Sequence, residues 1–509
     1  MSRVSRSVGS AVQTVSHRSV VDSIIRKDFP ALLAGSSIWM SWSILSVIIA
    51  DVGYPFSVNE LFSLIATAGL SGTFVRLGSS YLFVKTSGAL LWLVSLSLLV
   101  CPLWMIVECF SSLDTPLWAF QIAALLSGIG AALLPIRTCM EDFSLKGGRI
   151  DQEVRSALAD GGLIVAQVLL PVLGFLPFYR GEFLRILEHD SSNILGKVSA
   201  GQSFWISGSL SVIAILLSLA VLRVLPKTFN EKQKLYGVCR ISAIYAFLLV
   251  FCFTVQALFS LDGFLNDAVL LGFIIVAATL FLLFMFFFRI PRGRESGLLP
   301  LIMNRQLQLL SLLQLMGAGS LLGFAAVLPL LGRTMFDFEP AAGGVYSSRP
   351  VGPGVLTYIW LLPVIGVIAR GVSAWIVRYY KPEKINQAAL IVMFVCSVCL
   401  AINLGVPVNE RSGEVYFLLL ILFYVGSGVS AGSVFYQIVK SFPAALLPRV
   451  LIWIGGISSF GVFYIANMFA NYHGVVDISL IVFGFALFYA VGIVINWFFF
   501  MRRKSEMSF

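Results

Sequence analysis

Gly69-Leu-Ser-Gly-Thr-Phe-Val-Arg-Leu-Gly-Ser-Ser-Tyr81 decides how the chain is read. It sets one arginine, Arg76, inside an apolar run long enough to cross a membrane as a helix. The segment Gly366 to Trp375 repeats the arrangement around Arg370. Gly72, Arg76, Ser79 and Tyr81 of the first stretch match Gly366, Arg370, Ser373 and Trp375 of the second. A charge at the bilayer centre costs roughly 2.5–3.5 kcal/mol on insertion scales, so it is expected to face a cavity and to have a function. Two such charges in matching frames, one in each half, predict an internal repeat around one anionic ligand.

The surroundings of these stretches are those of a polytopic membrane protein. Of 509 residues, 58% are hydrophobic and 12% charged, and the mean hydropathy is +0.93, which excludes a soluble globular protein. The apolar runs are about 20 residues long, as helices require, and lack the period-two alternation of membrane strands. A formal charge of +10 invites a nucleic-acid reading. That reading is excluded, because the basic residues sit in short loops between spans, where topology accounts for them. Cys396 and Cys399 form a C-x-x-C in the middle of an apolar run and read as small helix residues. The histidines His17, His189 and His473 all fall outside the spans, so no metal site is expected.

Spans are predicted at 31–50, 60–84, 88–109, 116–136, 157–179 and 203–223, then at 241–261 and 268–288. A second set follows at 306–331, 353–377, 386–405, 415–438, 448–470 and 478–500, for 14 helices. With the N-terminus in the cytoplasm, six of the 35 Lys and Arg lie outside: Arg180, Arg185, Lys197, Arg333, Arg349 and Arg411. Two more are Arg76 and Arg370, and the remaining 27 lie inside, the bias expected of a correct span count. The domains are a cytoplasmic segment (1–30), an N-terminal six-helix bundle (31–224), linkers around an extra hairpin (225–300), a C-terminal six-helix bundle (301–500) and a cytoplasmic tail (501–509). The hairpin is expected to face lipid without touching substrate. Residues 332–352, with Gly343, Gly344 and Pro350, read as a flexible outside loop. No G-x-x-x-x-G-K-[ST] phosphate loop occurs, so a nucleotide is not expected to drive the protein.

Several motifs carry a resemblance. Trp39-Met40-Ser41-Trp42-Ser43 stands in the first span. Glu60-Leu61-Phe62 and Leu70-Ser71-Gly72 precede Arg76 and Tyr81 in the second, and Pro116-Leu117-Trp118 leads into the fourth. Gly319 to Ala325, then Gly428-x-x-x-Gly432-Ser433-x-Phe435, then Gly461 onward, follow in the second half. In this order and spacing they resemble the nitrate/nitrite porter family of the major facilitator superfamily, over residues 31–223 and 300–500. The resemblance implies an all-α polytopic fold of two pseudo-symmetric six-helix bundles, here with an inserted two-helix hairpin. It also implies a secondary active transporter in which two arginines, mapping to Arg76 and Arg370, clamp a planar anion. A guanidinium suits that role, being permanently charged, planar and able to donate two parallel hydrogen bonds.

Departures accompany the resemblance. Gly128 to Pro135 lacks the family's asparagine and serines, and Gln314 and Ala318 stand where the family has an aromatic shelf. Asp160 replaces an asparagine. Gln314 is read as a hydrogen-bonding replacement for the shelf or as a polar link between helices. Gly428, Gly432 and Ser433 are read as packing and hinge residues or as direct substrate contacts. Asp160 either carries a proton, caps its helix, or pairs with Arg137 or Arg155.

The expected function is anion exchange by a monomer in the cell inner membrane, both termini cytoplasmic, with no cofactor, metal or nucleic acid and no enzymatic reaction. Proton-coupled symport of another small anion and a non-transporting sensor on the same scaffold are the alternatives.

Overall fold

A computed structural model describes residues 29–52, 54–82, 88–109, 115–142, 304–336, 338–340, 346–348, 361–377, 379–407, 412–443, 446–472 and 477–502. In the first half these form α1 (Phe29–Met40), α2 (Trp42–Val52), α3 (Val58–Leu82), α4 (Gly88–Cys109) and α5 (Leu117–Asp142). In the second half they form α6 (Arg305–Gln314), a π-helical turn (Leu315–Gly319), α7 (Ser320–Phe336), α8 (Leu361–Ile376), α9 (Pro382–Gly405), α10 (Gly413–Ser441), α11 (Leu447–Tyr472) and α12 (Ile478–Ile495). A second π turn, Asn496–Met501, ends α12. Ten of the 14 expected spans are thus present as helices; those at 157–179, 203–223, 241–261 and 268–288 lie outside the described residues.

Two spans are interrupted where unbroken helices are expected. The first breaks between α1 and α2 at a serine cluster. Ser41 Oγ donates to Ile38 O at 2.7 Å, Ser43 Oγ to Met40 O at 2.8 Å and Ser46 Oγ to Ser43 O at 3.2 Å. Serine side chains that bond back to the preceding turn compete with the backbone ladder and bend the helix. The fifth described span is one continuous run, α6–π turn–α7, with Gly317, Gly319 and Gly323 at and just past the irregular turn.

Local chemistry sets the ends. Glu60 is a cap: its Oε2 accepts from Ser57 N at 2.7 Å while Ser57 Oγ accepts from Glu60 N at 3.3 Å, a capping box that starts α3. Asn304 Oδ1 accepts from Gln306 N and Leu307 N to start α6, and Pro382 opens α9. The segment expected to be a flexible outside loop holds a short antiparallel ribbon, β1 (Phe338–Pro340) with β2 (Tyr346–Ser348), in the register Phe338↔Ser348. The reading of 332–352 as plain loop is corrected accordingly: α7 runs on to Phe336, and three residue pairs of ribbon follow it.

Within the first half α3 and α4 pack on α5; within the second, α8 and α9 pack on α10, and α12 on α9. The halves meet chiefly along α3 and α11, with a smaller contact of α2 on α7. Antiparallel α3 and α11 touch from the stacked pair Phe62–Phe469 (centroids 5.5 Å) to Leu77 against Gly456. Glycines permit this approach. A Cβ on Gly69 would lie 2.6 Å from the Phe463 nitrogen, and one on Gly456 2.7 Å from a Leu77 methyl.

Tyr54, in the connection between α2 and α3, pins it to α4. Its Oη donates to Cys109 O at 2.8 Å, and its ring stacks on Phe56 and meets Phe120 edge-on. Burial, and then the neighbouring Cys109 thiol, push its hydroxyl up to about 12 from an ordinary value of 10.0. The raised folded value means that this contribution to stability is complete below pH 10.0 and is lost as pH rises through about 12. Tyr54→Phe is expected to lower melting temperature at neutral pH and to flatten the alkaline loss in that window. Melting curves in detergent across the window check it.

Candidate functional site

Arg76 lies near the far end of α3, where α3 faces α11. Its Nη1 donates to Ser459 Oγ at 2.8 Å and to Gly455 O at 3.2 Å, both on α11. Ser459 Oγ in turn donates to Gly455 O at 2.9 Å, which leaves its lone pairs turned to the guanidinium. On the other side Arg76 Cζ stands 5.5 Å from the centroid of the Trp39 ring. The ring is held by its own Nε1, which donates to Ala68 O at 2.8 Å, and lies 3.4 Å from where a Cβ on Gly72 would be. The arginine of the first half therefore bonds to the second half and stacks on its own. Hydrogen bonds from a charged donor contribute about 1.5–3 kcal/mol, enough for this contact to weigh in how the halves sit together.

Arg370 is buried, with 4% exposure, on the face of α8 that also carries Leu362, Gly366, Ala369 and Ser373. Ile368, Val372 and Trp375 form the exposed opposite face. The buried face lies on α10 through the glycines singled out in the sequence. A Cβ on Gly428 would fall on Gly366 O, and one on Gly432 on Ser373 Oγ and near Arg370 O. Ser373 Oγ donates to Arg370 O at 2.7 Å, and Ser433 Oγ to Ser430 O at 3.1 Å. Gly428 and Gly432 are thus brought to the helix that carries Arg370, by backbone approach.

The π turn sits between α10 and α11. Gly317 lies against Ser430 and Ala431 of α10, and Gly319 against Gly461 of α11. Each of those helices packs on one arginine-bearing helix, α10 on α8 and α11 on α3, so the turn touches both supports. Gln314 immediately precedes it, 1% exposed, and its Oε1 has no hydrogen-bond partner among the described residues. Ala318 is buried within the turn. Behind α10, Ser430 Oγ donates to Asn386 Oδ1 at 2.7 Å, and Asn386 Nδ2 to Asn496 Oδ1 at 3.2 Å. Asn496 Nδ2 continues to Gln387 Oε1 at 2.7 Å, giving a chain of amide bonds that ties α9, α10 and the π turn after α12 together.

Asp160, the candidate coupling residue, lies outside the described residues. Among the described residues no group of three His, Cys, Asp or Glu could hold a metal. Sequence reading missed Ser459, Gly455 and Gln437. Gln437 is 4% exposed on α10, and neither of its amide atoms has a hydrogen-bond partner among the described residues. A weak signal for Ser459 existed: Gly455-Gly456-Ile-Ser-Ser459 sets small and hydroxyl residues in an otherwise bulky span.

No protein-family model matches the chain. It is similar to the probable nitrate/nitrite antiporter NarK2 of Thermus thermophilus, at 22% identity over 480 residues, 92% of this chain and 90% of the relative. It is also similar to the nitrate/nitrite transporter NarU of Salmonella typhimurium and of Escherichia coli, each at 22% over 508 residues, covering 94% of this chain and 91% of the relative. Among solved structures, the proton:xylose symporter XylE bound to 6-bromo-6-deoxy-D-glucose superposes with a TM-score of 0.54 at 12% identity, covering 94% of this chain and 96% of the other. The transporter FucP in its outward conformation gives 0.53 at 13%, covering 92% and 97%. The fold is that of the major facilitator superfamily, and the chain is a multi-pass membrane protein.

Proposed function

We propose that this chain, a divergent member of the nitrate/nitrite porter family of the major facilitator superfamily, carries a small anion across the membrane by alternating access, held between Arg76 and Arg370. The observation that carries the reading is Arg370, a permanently charged side chain at 4% exposure inside a spanning helix. Its counterpart in the repeat, Arg76, stands where the two halves meet. Helices α8 and α11 contain no Asp or Glu, and the one acid of α3, Glu60, is spent on its capping box. A monovalent oxyanion bound between the guanidiniums would supply negative charge that these helices themselves lack. The relatives it is similar to, nitrate/nitrite transporters and a probable nitrate/nitrite antiporter, support a planar anion and exchange.

Exchange follows from electrostatics. Closing the halves over an empty site brings two positive charges together in a medium of low dielectric, and the bound anion relieves that repulsion. The loaded carrier then crosses more readily than the empty one. Gly428 and Gly432 serve by letting α8 lie on α10, which holds the Arg370 backbone in place, and Ser433 and Gln314 are the polar side chains proposed to assist the arginines. A monomer suffices, since one chain carries both arginines, and the charge bias of the loops favours an inner-membrane chain with both termini in the cytoplasm.

Thermal melting of the detergent-purified protein against nitrate, nitrite, chloride, phosphate and small carboxylates tests the binding part. A ligand of the native state raises the melting temperature with its concentration. Nitrate or nitrite is expected to do so most strongly, followed by uptake of that anion into proteoliposomes. Binding without uptake would instead make the protein a sensor.

A further inference from the structure

We infer that Trp39 is a positioning residue for Arg76, holding the guanidinium ready for an anion when the two halves are apart. The inference rests on the alternating-access reading above. Among the described residues, the contacts of Arg76 with α11 and with Trp39 belong to different halves. Ser459 and Gly455, at 2.8 and 3.2 Å from Nη1, are on α11 and must leave whenever α3 and α11 separate. Trp39 is on α1, in the same half as Arg76, and moves with it.

An arginine that gives up its bonds to α11 on opening gains rotamer freedom and loses preorganisation, at the expense of affinity, unless contacts within its own half hold it. The indole is built to prevent this. It is 5% exposed, fixed by its bond from Nε1 to Ala68 O, and packed over Gly72, where a Cβ would lie in ordinary contact with the ring at 3.4 Å. Both anchors are on α3, the helix that carries Arg76. Gly72 precedes Arg76 by one helical turn and Ala68 by two, so ring and arginine share one face of α3. The interruption between Met40 and Trp42 lies immediately beyond Trp39. A cation over the face of a desolvated indole is attracted by the ring quadrupole, and tryptophan is the best of the aromatic residues at this.

The test separates the ring face from the bulk of the side chain. Trp39→Phe keeps an aromatic face but loses the Nε1 bond and the second ring; Trp39→Leu keeps an apolar side chain and loses the face altogether. With nitrate as probe, Trp39→Leu is expected to raise the half-saturation constant of proteoliposome uptake about tenfold, the scale of one desolvated cation–π contact. Its maximal rate should stay within about twofold, and Trp39→Phe within about threefold on both parameters. An equal rise in both variants, or a fall in maximal rate at unchanged half-saturation, overturns the inference.

A ligand-free double-mutant cycle of Trp39→Leu with Arg76→Gln on chemical unfolding of the detergent-purified full chain needs no transport. Coupling between the two sites supports the contact, and additivity contradicts it. If the wild type gives no nitrate uptake while the cycle shows coupling, the transport reading fails and the positioning contact stands.

Discussion

Arg76→Lys loses most anion binding, with a rise of about 10- to 100-fold in the nitrate dissociation constant, the equivalent of one or two charge-assisted hydrogen bonds. The substitution keeps the charge, so the loss isolates geometry. Arginine offers five N–H donors in a rigid plane, and in this structure one terminal nitrogen already spans to Ser459 and Gly455. The fork allows the same side chain to hold α11 and donate to an oxyanion together. An ammonium is a point donor that cannot reproduce the fork. Arg370→Lys is expected to show a similar loss, because Arg370 is buried on a fixed helix face. Isothermal titration with nitrate checks both, and near wild-type affinity for the lysine variants would show that the anion is not gripped by paired donors.

Gly69→Val is expected to remove roughly nine-tenths or more of transport while the protein still folds and binds nitrate. A Cβ at Gly69 would lie 2.6 Å from the Phe463 nitrogen and 3.0 Å from its Cα, so the obstacle is backbone that cannot rotate away. That backbone belongs to the opposite half. Each half can therefore keep its own core, and only the conformation in which α3 and α11 close is denied. Gly461→Val makes the contrast. Its Cβ would fall on the backbone of Gly319, within the second half, where the π turn packs on α11. That overpacking costs about 1–3 kcal/mol or more and is expected to lower the yield of folded protein. Size-exclusion profiles and nitrate uptake, measured on both variants, separate a blocked conformational step from a damaged core.

The spans were legible because hydropathy and length carry them. The run predicted at 88–109 is α4 residue for residue, and that at 478–500 is α12 with its terminal π turn. The breaks were not legible. Hydropathy is blind to backbone register, so neither the serine-bonded interruption after Met40 nor the π turn at Leu315–Gly319 changes the apolar run that contains it. The arginines announced themselves, because an ionised group in an apolar helix is conspicuous in any sequence. Their partners did not: Ser459 is 383 residues from Arg76, and nothing in a single sequence pairs them before the halves are folded together. Gly428 and Gly432 were conspicuous as a spaced pair, but the surface they fit, the Gly366–Ser373 face of α8, is a product of tertiary packing.

Accelerated exchange tests most directly whether Arg76 and Arg370 share one anion site. Proteoliposomes holding the wild-type chain are preloaded with unlabelled nitrate or left empty, and the initial entry of isotopically labelled nitrate is followed in each. Preloading is expected to speed entry severalfold, with Arg76→Gln and Arg370→Gln each abolishing both the entry and its acceleration. Equal entry into loaded and empty vesicles would contradict exchange, and wild-type acceleration in either glutamine variant would contradict the shared site.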